Sequence, residues 1–342
     1  AIGLEPRLAP QAPSRSWWPL QALPCGLCIL PVARLTPAMS VALALLLVSS
    51  QVALVPGEAR GVIHGGPDEA MGMTSLSREV KRRWCWLKRR VQAAALQGIV
   101  PADPRQWSLS HIRGSCGVVS NSGAFRSNPL GAAIDRQDVV MRFNDAPTRG
   151  FEAQVGAKTT VRFKHYRTFL AILSGDEEPE EGVIYIFRWR VHTFAAFEQG
   201  SVRVAMEDVQ RKFPNSGIFL VTEKFEDAVM SALGRLYPPD WAPQAAVNIS
   251  HWRVLARSGC PTMGALGMVM ALSVCTEVTA FEMVPSKFAV GSPYQYYDDA
   301  ARNGHTTLNQ EHDLWRSVSS TPEDEILETG VARLPGFNSS RC

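Results

Sequence analysis

Short apolar runs rich in β-branched and aromatic residues alternate with segments of helical periodicity along most of this chain. Such runs predict six buried strands, at 116–120, 138–143, 159–163, 183–187, 217–221 and 277–283. Helical spacing occurs at about 194–213, 225–237 and 264–275. Strands that alternate with helices predict an α/β sandwich of the Rossmann-like kind with a mainly parallel sheet. Ligands of such sheets bind at the carboxyl ends of the strands.

The segment 38–55 contains no charged residue. As a helix that rises about 1.5 Å per residue it would be about 27 Å long, which is enough for a thin bilayer. Basic residues precede it, so the positive-inside rule places the preceding segment 1–37 in the cytosol and the rest of the chain in the lumen. We therefore predict a transmembrane signal-anchor at 38–56. A cleaved signal peptide and a buried soluble helix are the alternatives.

A stem is predicted at 57–74, where Gly, Pro and polar residues show no period, and a lumenal domain at 75–342. The domain opens with a basic amphipathic helix that ends at about Leu96, with Trp84 and Trp86 available to pack on the core. The charge run of this helix is more typical of a solvated face than of a binding patch.

The cysteines agree with a lumenal domain, because disulfides form in that compartment. Of seven cysteines, Cys25 and Cys28 precede the predicted anchor, and the odd number that remains leaves one thiol unpaired. The sequons at Asn248 and Asn338 are compatible with lumenal glycosylation. The net charge of +3 gives no reason to expect a nucleic-acid partner.

Three stretches have the composition of a nucleotide site, although each alone is also typical of an ordinary turn. At 118–125 a predicted strand enters a small polar loop ahead of a helix, where backbone amides, hydroxyls and a helix dipole favour a phosphate. At 141–148 a strand ends in Asn144, which suits a base edge or a ribose. At 258–267 small residues again precede a helix. The GxGxxG fingerprint is absent, which disfavours an NAD-dependent oxidoreductase.

Together these stretches resemble the motifs of eukaryotic sialyltransferases. Residues 115–135, 138–148 and 155–160 are similar to the large sialyl motif of that family, and residues 258–282 to the small one. YQYYDD at 294–299 resembles the third motif. The closing LPGF and Cys342 are most similar to the β-galactoside α-2,6-sialyltransferase branch. The resemblance spans roughly residues 80–342 and implies a variant of the GT-A glycosyltransferase fold.

The resemblance implies a CMP-sugar site and two disulfides. The implied donor-binding residues are Ser120, Asn121, Asn144, Thr262, Gly264, Tyr296 and Tyr297. The implied disulfides are Cys116–Cys275 and Cys85–Cys342, which leave Cys260 as the odd thiol. No Asp-x-Asp occurs, and metal-independent members of the family imply that amides, hydroxyls and tyrosines meet the charge of the leaving group. We expect no metal and no cofactor, with CMP-sialic acid as the donor substrate.

The general base is expected to be a histidine, because its pKa lies near the operating pH. His305 lies just beyond YQYYDD, where the family places its base in a final His-x4-Glu motif. Glu311 is the candidate partner, but the spacing here is His-x5-Glu, which leaves His312 as an alternative base. Lys164 and His165 occupy a stretch where the α-2,6 branch carries an Asn, and we expect one of them to meet the carboxylate or phosphate of the donor.

The expected protein is a metal-independent sialyltransferase of the Golgi membrane, single-pass and type II. It would move sialic acid, with inversion, from CMP-sialic acid to a terminal galactose of a glycoprotein glycan, preferentially to the 6-hydroxyl. Its partners would be the CMP-sugar donor, the galactose-terminated acceptor and the membrane. The alternatives are a transferase for another CMP-activated acidic sugar such as Kdo, and an inactive relative that binds a glycan or a nucleotide.

Overall fold

The computed structural model describes residues 76–188, 201–236, 261–299, 308–339 and 341–342. All of them belong to one unit, residues 57–342. Several predicted features lie outside the described residues, namely the segments 1–37, 38–56 and 57–74, and Asn248, Cys260 and His305. Among the helices that are described, none is long and apolar enough to cross a membrane.

The centre of the domain is an eight-stranded sheet with the order β1-β6-β5-β4-β3-β2-β7-β8. The strands are β1 (Ile99–Pro101), β2 (Ser115–Val119), β3 (Val139–Phe143), β4 (Val161–His165), β5 (Ile184–Arg188), β6 (Gly217–Val221), β7 (Glu277–Phe281) and β8 (Val331–Pro335). The six strands from β6 to β7 in this order pair in parallel, and β1 and β8 pair antiparallel at the edges. The prediction of a mainly parallel sheet is confirmed, whereas the two edge strands were not predicted.

Nine α-helices are described. They are α1 (Arg78–Gly98), α2 (Gly131–Asp135), α3 (Glu152–Val155), α4 (Tyr166–Ser174), α5 (Ser201–Lys212), α6 (Glu223–Leu236), α7 (Met263–Val274), α8 (Leu308–Val318) and α9 (Glu323–Thr329). Successive residues of a strand point to opposite faces of a sheet. Both faces of this sheet are buried, so adjacent strand residues belong to different core clusters. On one face Val118 and Met141 pack with α1, α6 and α7, and on the other Val119 and Val140 pack in a separate cluster.

Helix α7 lies at the centre of the molecule. Its residues are apolar on all sides, and nearly all are buried, as expected for a helix inside a core. Gly267 allows the close approach to β3, since a Cβ atom at this position would lie 2.6 Å from the ring of Phe143. The amino end of α7 is thereby held near the carboxyl ends of the central strands.

Helix α1 begins at Arg78, where the hydroxyl of Ser77 accepts a hydrogen bond from the amide of Val80. Its residue Trp84 is fully buried and donates from the indole nitrogen to the carbonyl oxygen of Pro335. Trp86 is partly buried against the same core, so both tryptophans pack as predicted.

Two disulfides cross-link distant parts of the domain. Cys85 in α1 is bonded to Cys342, and Cys116 in β2 is bonded to Cys275 at the end of α7. These are the two pairs that the family resemblance implied.

Candidate functional site

The order of the strands reverses at β2. The chain proceeds from β2 through β3, β4, β5 and β6 in one direction, and β7 then adds to the other side of β2. The crevice at such a reversal, at the carboxyl ends of the strands, is where open α/β sheets bind their ligands. The loop that follows β2 contains Ser120 and Asn121, and Asn144 follows the adjacent β3. Sequence and topology therefore bring three of the predicted donor-binding residues to one edge of the sheet.

The loop after β2 is held by its own short hydroxyls. The hydroxyl of Ser120 accepts from the amide of Ser122 at 3.2 Å, and the hydroxyl of Ser122 accepts from the amide of Ala124 at the same distance. The side-chain amide of Asn121 donates to the carbonyl oxygen of Phe143 at 3.3 Å, which ties this loop to the end of β3. The two loops form one surface.

The helix predicted after this loop is present, but it is short and does not follow the loop directly. The chain forms a short 3₁₀ turn, Gly123–Arg126, and then α2, which has only five residues. The dipole of so short a helix is small, because few peptide groups align in it. A phosphate at this loop would therefore gain little from the dipole of α2.

The third motif lies directly against the loop after β2. The amide of Tyr296 donates to the carbonyl oxygen of Asn121 at 3.1 Å, and Gln295 forms a β-bridge with Ser122. A Cβ atom at Gly123 would lie 2.2 Å from the carbonyl oxygen of Pro293, so only glycine permits this approach. The structure thus brings residues 293–297 together with the large motif.

The two predicted tyrosines differ in their environment. The side chain of Tyr296 is buried, its hydroxyl donates to the carbonyl oxygen of Pro147 at 2.5 Å, and burial raises its pKa to about 12. Tyr297 is partly buried. Burial raises the pKa of Tyr297 as well, and a hydrogen bond with the side chain of Asn121 opposes the rise. Tyr296 therefore holds the third motif in place, and the phenol of Tyr297 lies beside Asn121 of the loop after β2.

Residues with left-handed backbone flank the end of β2 on both sides. Asn144 follows β3 and Glu282 follows β7, each with φ of 52°, and within the described residues no other non-glycine residue has a positive φ. Asn tolerates this conformation, whereas in Glu it costs about 1–3 kcal/mol. Glu282 is held there because its carboxylate accepts from the amide and the hydroxyl of Ser286, at 3.2 Å and 2.6 Å. Such strain is typical of functional sites.

Lys164 is buried beside the Asn144 turn. Its ammonium nitrogen lies 2.6 Å from a carboxylate oxygen of Asp145 and 2.5 Å from one of Glu177, and 5 % of its side chain is exposed. The two carboxylates already compensate its charge, so Lys164 orders the turn and is poorly placed to attract an anion. The neighbouring His165 caps α4, where its ring accepts a long hydrogen bond from the amide of Arg167.

The small motif contributes the amino end of α7. Thr262 is the N-cap residue, and its hydroxyl accepts from the amide of Ala265 at 3.0 Å. At Gly264, a Cβ atom would lie 2.9 Å from the methyl group of Met283. Glu311, in the first turn of α8, is buried and accepts from both the amide of Thr262, at 2.8 Å, and its hydroxyl. Two residues predicted for different roles, Thr262 and Glu311, are therefore in direct contact.

Arg188 connects the end of β5 to the same region. Its guanidinium donates two hydrogen bonds of 2.9 Å to the carboxylate of Glu226 and a third, of 2.8 Å, to the carbonyl oxygen of Pro261. Both charged side chains are largely buried. This pair could not be predicted from the sequence, because the partners are 38 residues apart and no local pattern links them.

The remaining predicted residues divide into two groups. His305, Asn248 and Cys260 lie outside the described residues, so their roles stay predictions. Asn338 is exposed, but its amide nitrogen donates to the carbonyl oxygen of Ser273 at 3.0 Å. In the part of the chain that is described, no three His, Cys, Asp or Glu side chains converge as a metal site would require.

A mainly parallel α/β sheet whose strand order reverses beside two Asn-containing loops and a capped helix defines an open α/β protein with its ligand crevice at the carboxyl ends of the strands. Residues 73–321 match the family model of glycosyltransferase family 29 (sialyltransferase). This match covers more than half of the chain, and the chain therefore belongs to that family.

Several relatives are similar over most of this domain. Human beta-galactoside alpha-2,6-sialyltransferase 1 is 26% identical over 245 residues, which are 67% of this chain and 55% of the relative. Beta-galactoside alpha-2,6-sialyltransferase 2 of Gallus gallus is 28% identical over 287 residues, with coverages of 76% and 51%. The chain thus spans about half the length of these curated relatives.

A similar solved structure is that of a mammalian sialyltransferase in complex with Gal-beta-1-3GalNAc-ortho-nitrophenol. It is 20% identical, has a TM-score of 0.40, and the match covers 70% of this chain and 81% of that one.

Proposed function

We propose that this chain transfers sialic acid from CMP-sialic acid to a terminal galactose of a glycan, with the 6-hydroxyl as the preferred acceptor. The observation that carries the proposal is the family match over 73–321, which includes every residue predicted to bind the donor or to act as the base. Two relatives named as beta-galactoside alpha-2,6-sialyltransferases support this choice of acceptor and linkage.

The proposed donor site is the edge of the sheet around the end of β2. The hydroxyl of Ser120, which accepts from the amide of Ser122 and still has its own proton to donate, would meet the phosphate, while Asn121 holds the loop in place. Asn144 would meet the ribose or the base. Tyr297 would donate its hydroxyl to the leaving phosphate, since a phenol is protonated at neutral pH. These groups would carry the charge of CMP as it departs.

The proposed reaction is one direct displacement. His305 would remove the proton from the acceptor hydroxyl, whose oxygen forms a bond to the anomeric carbon of the sialic acid. The bond from that carbon to the phosphate oxygen breaks at the same time, and its electron pair leaves with CMP. The attack occurs on the face opposite to the leaving group, so the anomeric centre inverts.

We also propose that the chain is a type II protein of the Golgi membrane, anchored by residues 38–56. Support comes from the uncharged run at 38–55 and from the two disulfides in the domain that follows, since disulfides form in oxidising compartments.

A titration of the full chain with CMP tests the donor site. Asn144→Gly is the variant of choice, because glycine keeps the left-handed backbone while the side-chain amide is lost. The loss of one hydrogen bond to the ligand, about 1–1.5 kcal/mol, would weaken CMP about five- to tenfold. Asn215→Ala is the matched control, since Asn215 precedes β6 at the opposite edge of the sheet.

Two results would overturn the proposed site: an affinity for CMP that is unchanged in Asn144→Gly, or an intact chain that does not bind CMP. Turnover of CMP-Kdo in preference to CMP-sialic acid would support the proposed donor site but show that the transferred sugar is Kdo.

A further inference from the structure

The positive charge of this protein is concentrated on helix α1. Seven basic residues and one acidic residue, Glu79, lie in the segment 78–90, which gives it a formal charge of +6. The whole chain has a net charge of only +3. The basic residues are Arg78, Lys81, Arg82, Arg83, Lys88, Arg89 and Arg90.

The stability of the helix does not explain this charge. Basic side chains stabilise the carboxyl end of a helix, where the macrodipole is negative, and destabilise the amino end, where it is positive. Here Arg78 and Lys81 lie in the first turn, and the last turn contains no basic residue. Glu79 forms ion pairs with Arg82 and Arg83, at 2.6 Å and 2.9 Å, but it offsets only part of the charge. An arrangement that opposes local stability points to a functional role.

The Cys85–Cys342 disulfide adds one more cation to this face. Residues three and four apart are neighbours on a helix, so Lys81, Arg82 and Arg89 surround Cys85. The Cα atoms of Cys85 and Cys342 are 5.5 Å apart, and Arg341 is exposed next to Cys342. The disulfide therefore brings the backbone of Arg341 close to the part of α1 that contains Cys85.

The exposed residues Arg78, Lys81, Arg82, Arg89 and Arg341 are here called the basic stripe. Four of the five are arginines, whose planar guanidinium groups form paired hydrogen bonds with sulfate and carboxylate. From Arg78 to Arg89 the stripe extends along about 16 Å of helix. It is thus a line of separate anion contacts on an open surface.

The apolar side of α1 cannot serve a membrane, because it is already used. Trp84, Leu87 and Val91 are fully buried in the core of the domain. A helix that binds a membrane surface would need such residues to enter the lipid. The exposed side offers charge alone, and this favours a hydrophilic polyanion over a bilayer.

We propose that the basic stripe binds a linear acidic polysaccharide that carries sulfate or carboxylate groups, with successive anionic groups paired to successive guanidinium groups. The surface is formed by α1 and the carboxyl end of the described chain, and it shares no residue with the proposed donor site. The inference does not depend on the proposed transfer reaction.

Heparin is the probe for the test. The full chain in detergent is applied to immobilised heparin and eluted with salt, beside the variant Arg78→Gln/Arg82→Gln/Arg89→Gln. The matched control is Arg105→Gln/Arg203→Gln/Arg211→Gln, which removes the same charge from arginines whose side chains are 93%, 62% and 75% exposed. We expect the unaltered chain and the control to elute above physiological salt, about 0.15 M, and the stripe variant below it. Arg341→Gln alone should also elute earlier than the unaltered chain.

Equal elution of the stripe variant and the control would overturn the proposal, since it would show that only net charge matters. Binding to vesicles that contain phosphatidylserine, without retention on heparin, would overturn it in favour of a lipid surface. Thermal unfolding of each variant verifies that these exposed substitutions leave the fold intact.

Discussion

The carboxylate of Glu311 accepts hydrogen bonds from both the backbone amide and the hydroxyl of Thr262. Thr262 caps α7, the helix of the small motif, and Glu311 lies in the first turn of α8. This contact joins the first turn of α8 to the amino end of α7, and His305 precedes α8 by three residues in the sequence. The prediction that Glu311 acts on His305 itself stays a prediction.

Substitution Thr262→Val should destabilise the domain by about 1–3 kcal/mol, because the buried carboxylate loses a hydroxyl donor and α7 loses its capping oxygen. Thr262→Ser retains the hydroxyl and should unfold like the unaltered chain. Urea unfolding measures both. A Thr262→Val variant with full stability would mean that the contact contributes little.

Arg188 is expected to be sensitive in a similar way. Arg188→Met would leave the buried carboxylate of Glu226 without its paired guanidinium, at a cost of about 3–5 kcal/mol. The double variant Arg188→Met/Glu226→Leu removes both charges and should regain part of that loss. The midpoints of urea unfolding measure both effects. A double variant less stable than Arg188→Met would contradict the claim that the loss comes from the unpaired charge of Glu226.

The Cys116–Cys275 disulfide joins β2 to the end of α7, and both cysteines are fully buried. Cys275→Ser should lower the free energy of unfolding by about 2–5 kcal/mol and sharply reduce the yield of folded protein extracted from membranes. Cys260→Ser, which alters the odd thiol, is the control and should be recovered in normal yield. If both variants were recovered and unfolded alike, the disulfide would have no structural role.

Stability at high pH should depend on Tyr296. Burial raises its pKa to about 12, above the value of about 10 in an unfolded chain. The folded state therefore holds this proton more tightly, and its contribution to stability is present below about pH 10 and is lost as the pH rises through about 12. Urea unfolding from pH 9 to pH 12 should show this loss, with a smaller slope in Tyr296→Phe. An equal slope in the two proteins would rule out Tyr296 as the titrating group.

The central strands could be predicted because each is a short apolar run that is buried on both faces. Ile184–Arg188 and Gly217–Val221 are examples, and their observed bounds differ from the predicted ones by one residue at most. The edge strand Ile99–Pro101 could not be predicted, because three residues give no period. Its position depends on pairing with β6, more than a hundred residues later in the chain.

Within the candidate site, sequence identified the loops but not the contacts between them. Asn144 was noticeable because a polar residue directly follows a buried run. The Glu311–Thr262 contact spans 49 residues, and the charges around Lys164 meet only after three separate elements have packed. Local pattern carries no information on such pairs, since tertiary packing alone selects them.

The most direct test of the central claim is transfer of labelled sialic acid from CMP-sialic acid to a galactose-terminated glycan, by the intact chain and by His305→Ala and His312→Gln. We predict transfer by the intact chain and by His312→Gln. In His305→Ala the rate should fall by about a hundredfold or more, because a general base contributes about 10²–10⁴. No transfer by an intact chain that binds CMP, or undiminished transfer by a folded His305→Ala, would contradict the account.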